Sequence, residues 1–142
     1  MSLGLRFCGA IAGAAILAAA ASPAVAAVGD FFGSWYASAP DTRGIARIDV
    51  RRLGDQVLVR VWGRCHPTDC DWGQAPGQPY APAVSEPLWP TADVIIADFD
   101  NGAEHTTVVL RAAGGALNYQ AFTHFSDGSN RSDYHQYGRL IH

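Results

Sequence analysis

Lysine is missing from this chain altogether: all ten basic residues are arginine, and the formal net charge is −3. Arginines scattered over an acidic protein offer no basic face to a phosphate backbone, which argues against nucleic acid as a partner. Helix signals are sparse after the first thirty or so positions (roughly, by the periodicity criterion), which argues against an α-helical bundle. No long apolar run follows the N-terminal one, so no membrane span is expected past it. A Gly-x-Ser-x-Gly elbow, a glycine-rich phosphate loop and a His-Glu-x-x-His pair are all missing. The usual sequence grounds for an enzyme are therefore absent, and the expectation is a non-enzymatic protein without a cofactor.

Cysteine is scarce too, with three in the chain. Cys8 lies in an N-terminal segment that reads as a Sec-type signal peptide over residues 1–26. Arg6 supplies the positive end, Ile11 to Ala21 the apolar stretch, and Ala24-Val25-Ala26 a small-x-small cleavage site. Residues 27–142 then form one domain, exported to the periplasm or beyond the cell. Export leaves Cys65 and Cys70 in an oxidising compartment, where a disulfide is expected between them. The loop it closes is short, so the chain-entropy model gives only about 2 kcal/mol. Such a bond shapes a loop more than it holds a domain.

What is present is β pattern. Gly, Pro and Asp recur at short intervals, and the segments between them are rich in Val, Ile, Thr, Tyr and Phe. Strands are expected at 31–38, 44–53, 56–64, 92–99, 105–112, 117–125 and 133–140. Turns fall at Gly54-Asp55, Asn101-Gly102, Gly114-Gly115 and Gly128-Ser129. Residues 65–91, with six prolines, read as an irregular span hiding at most one short strand near Ala83 to Leu88. Seven or eight strands joined by hairpins, with edges to remove, imply an all-β antiparallel up-and-down barrel; a sandwich is the alternative. The expected core is Trp35, Ile48, Val50, Val57, Val59, Val61, Val94, Ile96, Val108, Leu110, Leu117, Tyr119, Phe125 and Leu140.

The densest chemistry lies in Trp62-Gly63-Arg64-Cys65-His66-Pro67-Thr68-Asp69-Cys70-Asp71-Trp72-Gly73. Pro67 fixes its own φ, and Thr68 and Asp69 suit a turn. Trp faces beside carboxylates suit sugars, because C–H faces stack on indole while hydroxyls donate to the acids. The candidate binding residues are Trp62, Arg60, His66, Asp69, Asp71 and Trp72, with Trp62 facing away from the barrel core. A metal on Cys65, His66 and Cys70 is disfavoured because no second ligand pair follows. Asp98 and Asp100 share a strand face, but Asp100-Asn101-Gly102 reads as hairpin chemistry rather than a catalytic pair. His124 and His135 are expected as neighbours across the last hairpin.

Gly33-Ser34-Trp35, followed by a meander of this length, resembles the Gly-x-Trp opening of calycin-type barrels such as lipocalins and avidins. The Trp62 to Gly73 motif, with Thr123-His124-Phe125-Ser126-Asp127-Gly128-Ser129, resembles a group of exported bacterial proteins of unassigned function. The resemblance implies a barrel and carries no activity with it. The expected function is binding of a glycan or small amphipathic ligand, at the barrel mouth or on the Trp62–Gly73 loop. Alternatives are an inhibitor of a secreted protease, entering its cleft with Ala27 to Phe32, and an envelope structural protein.

Overall fold

The computed structural model describes residues 26–142; the segment read as a signal peptide lies outside the described residues, Ala26 excepted. Eight antiparallel strands close into an up-and-down barrel: β1 (Gly33–Ala37), β2 (Ile45–Leu53), β3 (Gln56–Gly63), β4 (Cys70–Tyr80), β5 (Val94–Asp100), β6 (Glu104–Ala113), β7 (Ala116–Phe125) and β8 (Tyr134–Ile141). Each strand pairs with the next, and β1 meets β8 at Tyr36↔Ile141 and Ala37↔Leu140, which removes both sheet edges. Among the described residues no helix is long and apolar enough to cross a membrane.

Period-2 alternation builds the wall. Val57, Val59 and Val61 on β3 face inward and are buried, as are Ile48 and Val50 on β2, Val108 and Leu110 on β6, and Leu117 and Tyr119 on β7. The core differs from expectation at three positions. Val94, Ile96 and Phe125 are only partly buried, whereas Ile95, Ala97 and Phe99 fill the interior. The uninterrupted run Val94-Ile95-Ile96-Ala97 leaves the strand's phase open. Asp98 and Asp100 settle it by taking the outer face.

The eighth strand is not where the sequence suggests. Residues 83–88 form turns, followed by a helical turn at Leu88–Thr91, and β4 instead occupies the Pro-rich stretch Cys70–Tyr80. Its prolines are tolerated for a visible reason. β3 pairs with residues 70–77 of β4 and β5 with residues 77–80. Pro76 and Pro79 each sit where β4 has one partner rather than two, so a missing N–H costs little. Gly77, the position flanked on both sides, is so enclosed that a Cβ there would lie 2.9 Å from side chains of both Val59 and Ile95.

One end of the barrel is sealed. The first strand begins at Gly33 rather than near Phe31, because Val28–Phe31 form a 3-10 turn across the opening. Val28 and Phe31 are fully buried. The Trp35 indole N–H donates to the Phe31 carbonyl at 2.8 Å, tying plug to wall. The His142 ring rests on Trp35 with centroids 3.6 Å apart, and Ala92 and Trp89 of the neighbouring connection pack against the same core. Removing two large apolar side chains from water stabilises this cap by about 1.5–3 kcal/mol each.

Candidate functional site

The opposite end is open. The ends of β1, β3, β5 and β7 and the starts of β2, β4, β6 and β8 converge there, joined by residues 38–44, 64–69, 101–103 and 126–133. Between them lies a cavity of about 500 Å³. Aromatic walls come from Trp72, Phe99 and Tyr134, and polar groups from Arg43, Arg64, Asp100, Glu104, Thr106 and Gln136.

Trp72 reaches the cavity through a break in register. Val61 pairs with Gly73 but Trp62 pairs with Asp71, so Trp72 is the extra residue of a bulge. A bulge re-aims a side chain, and it is built here on Gly73 at φ 87°. The Trp72 indole lies over Gly63, where an added Cβ would come within 2.7 Å of Nε1. It meets Phe99 edge-on, with centroids 6.2 Å apart at 71°.

Beneath the cavity the barrel turns from polar to filled. Thr106 and Thr123 are buried cross-strand partners whose hydroxyls bond each other at 2.9 Å. The Tyr119 hydroxyl accepts the Ile45 N–H at 3.1 Å. Burial pushes that phenol above its ordinary pKa, an effect the Ile45 N–H partly opposes. Tyr119 fits because Gly138 faces it; a Cβ at Gly138 would meet the ring at 2.7 Å. Below these groups lies apolar side-chain packing, so the cavity is a shallow cup, not a channel.

The candidate binding residues divide into separate groups. Trp72 and Asp71 line the cup, together with both half-cystines. Cys65 and Cys70 are disulfide-bonded, with Cα atoms 5.5 Å apart, and the His66–Pro67 peptide bond within their loop is cis. Asp69 accepts from Arg64 Nη1 at 3.0 Å and braces this loop. His66 is exposed beside residues 40–43, off the cup.

Trp62 and Arg60 lie on the outer wall. The Arg47 and Arg60 guanidiniums stand 4.4 and 4.9 Å from the Trp62 ring, so its indole is already engaged by cations. Arg47 is held by Asp49 at 2.6 Å, and Arg60 by Asp71. The Arg60 pair and the Gly73 N–H together hold the Asp71 carboxyl below its ordinary pKa.

The acidic and histidine pairs also resolve. Asp100 Oδ1 accepts the Gly102 N–H at 2.7 Å and Asp98 accepts the Thr107 hydroxyl at 2.5 Å, so both serve the hairpin. His124 is not opposite His135. It faces His105 across β6–β7 and bonds Asp133 at 2.7 Å, while His135 faces and stacks on Phe122. Among the described residues no three His, Cys, Asp or Glu side chains converge on a metal-sized site.

Sequence reasoning missed most of the cup: Arg43, Phe99, Glu104, Thr106, Tyr134 and Gln136 come from one loop and three strands far apart in the chain. The one signal within reach was alternation. Thr106, Thr123 and Gln136 fall on inward positions near the open ends of adjacent strands, where polar residues mark the end of the core. No family model matches the chain, and no curated protein or solved structure is significantly similar to it.

Proposed function

We propose that this protein is an exported binding module, not an enzyme, that holds a glycan or small amphipathic ligand in the open end of its barrel. The observation that carries the reading is the asymmetry of the two ends. One is plugged by fully buried Val28 and Phe31, and the other opens on a cup with aromatic walls and a hydrogen-bonding floor. A concave site with apolar walls and a few placed polar groups is the usual form of a small-ligand site. The bulge at Trp72 supports it, because it turns an indole inward that regular pairing would have left outside. The protease-inhibitor alternative is disfavoured by the same plug: residues 27–32 are committed to sealing the barrel rather than projecting from it.

The test is a thermal-shift screen of glycans and small amphipathic molecules on the protein from residue 27 onward, followed by two variants. Trp72→Ala weakens binding of any hit by about tenfold, the order expected for a stacking contact, while Trp62→Ala leaves it unchanged. Equal loss in both variants, or loss in Trp62→Ala alone, rejects the cup as the site.

A further inference from the structure

The hydrogen-bonding groups around the cup are unevenly committed. Its carboxylates already have donors. Asp71 takes the Arg60 guanidinium and the Gly73 N–H, Asp100 takes the Gly102 N–H, and Glu104 accepts from Asn101 Nδ2 at 3.2 Å. At the rim, Asp69 is held by Arg64.

The donors are in the opposite condition. Arg64 gives Nη1 to Asp69, and its Nε is buried beyond a ligand's reach, but Nη2 makes no hydrogen bond among the described residues. Arg43, exposed on the same rim, has no ion-pair partner among the described residues. The Trp72 and Gln136 side chains also line the cup. Arg43 and Arg64 lie side by side, lining both the cup and the adjoining groove at residues 40–43.

Resting on the reading of the cup as a ligand site, we infer that its ligand carries a carboxylate bound by Arg43 and Arg64, and belongs to the acidic sugars of the uronic-acid class. A free guanidinium beside a partly satisfied one matches a carboxylate, which accepts from both as charge-assisted hydrogen bonds. The Trp72 indole and the Tyr134 ring offer apolar surface to a sugar's C–H groups. Asp100 and Glu104 across the cup retain acceptor capacity for its hydroxyls, since an ionised carboxylate has about four lone-pair sites. A neutral glycan would leave the charge of Arg43 unanswered.

Titration calorimetry with galacturonate and glucuronate trisaccharides, and with their methyl esters, tests this directly, because acid and ester share shape and hydroxyls and differ in charge. The acid form binds at least about tenfold tighter than the ester, the worth of one charge-assisted hydrogen bond. Arg43→Gln, at an exposed and unpaired position, cuts that difference severalfold without moving the melting temperature of the free protein. Raising salt weakens the acid and not the ester. Equal affinity for acid and ester overturns the inference while leaving the cup a glycan site. Binding of neither overturns it too, and a neutral-glycan panel read through Trp72 fluorescence then reports separately on the cup. An acid–ester difference that Arg43→Gln leaves undiminished places the carboxylate elsewhere and likewise overturns it.

Discussion

The two ends of this barrel are made from the same eight strands and have opposite chemistry. At the closed end every large group has a partner: Phe31 and Val28 fill the opening, Trp35 bonds the Phe31 carbonyl, and His142 covers Trp35. At the open end, Gly44 lets Tyr119 and Gln136 crowd the backbone, Gly63 lets Trp72 do the same, a bulge turns Trp72 inward, and Arg64 Nε goes without an acceptor. On the proposed reading, stability and recognition are assigned to separate ends. Satisfied packing lowers the free energy of the fold, whereas a buried donor without an acceptor raises it.

The comparison breaks if a closed-end change proves cheap. Phe31→Ala removes a fully buried aromatic side chain and costs about 3–5 kcal/mol in urea unfolding, since the cavity left has no route to collapse. Binding at the open end persists as long as the domain stays folded. A cost under about 1 kcal/mol would mean that the turn at residues 28–31 is an ornament rather than a seal.

Reduction of the Cys65–Cys70 disulfide is the next effect in size, about 2 kcal/mol by loop-closure entropy. Its reach is local, so hydrogen exchange quickens at residues 64–70 while amides of β6 and β7 stay protected. Global unfolding on reduction would show that the open end carries stability as well.

The smallest effect lies in the β7–β8 loop. Ser129, through its side chain and its N–H, and Arg131 hold the exposed Asp127 carboxyl down at about 2. Because the folded value lies below the ordinary 3.8, this anchor is fully present above pH 4 and is lost as pH falls through about 2. Carbon-13 titration of the Asp127 carboxyl gives that midpoint, and amide exchange in residues 126–133 rises below it. A midpoint near 3.8 would free the loop from this anchor.

Much of the architecture is legible in the residues. Alternation in β2, β3, β6 and β7, with glycine turns at Gly54, Gly102, Gly114 and Gly128 all at positive φ, is enough for an antiparallel meander. β4 is illegible because Pro76, Pro79 and two glycines erase the usual strand signal, and only the staggered pairing with β3 and then β5 makes them acceptable. The phase of β5 is lost in its continuous apolar run.

The candidate site was half legible for a related reason. Trp62 and Trp72 look equivalent in a near-mirror motif, and their separation onto the outer wall and into the cup depends on a one-residue bulge. Arg43, Thr106 and Gln136 are far apart in sequence and meet only when the barrel closes.

The chain's four tryptophans provide the most direct measurement. Trp35 and Trp89 sit at the closed end, Trp62 on the outer wall and Trp72 in the cup. In nitrogen-15 spectra each gives one indole N–H peak, so titration with galacturonate trisaccharide, or with the best hit of the ligand screen, reads all four regions at once. With the ligand in the cup, the Trp72 peak shifts while the other three stay in place. A saturable shift of Trp62, Trp35 or Trp89 with Trp72 unmoved would contradict that placement.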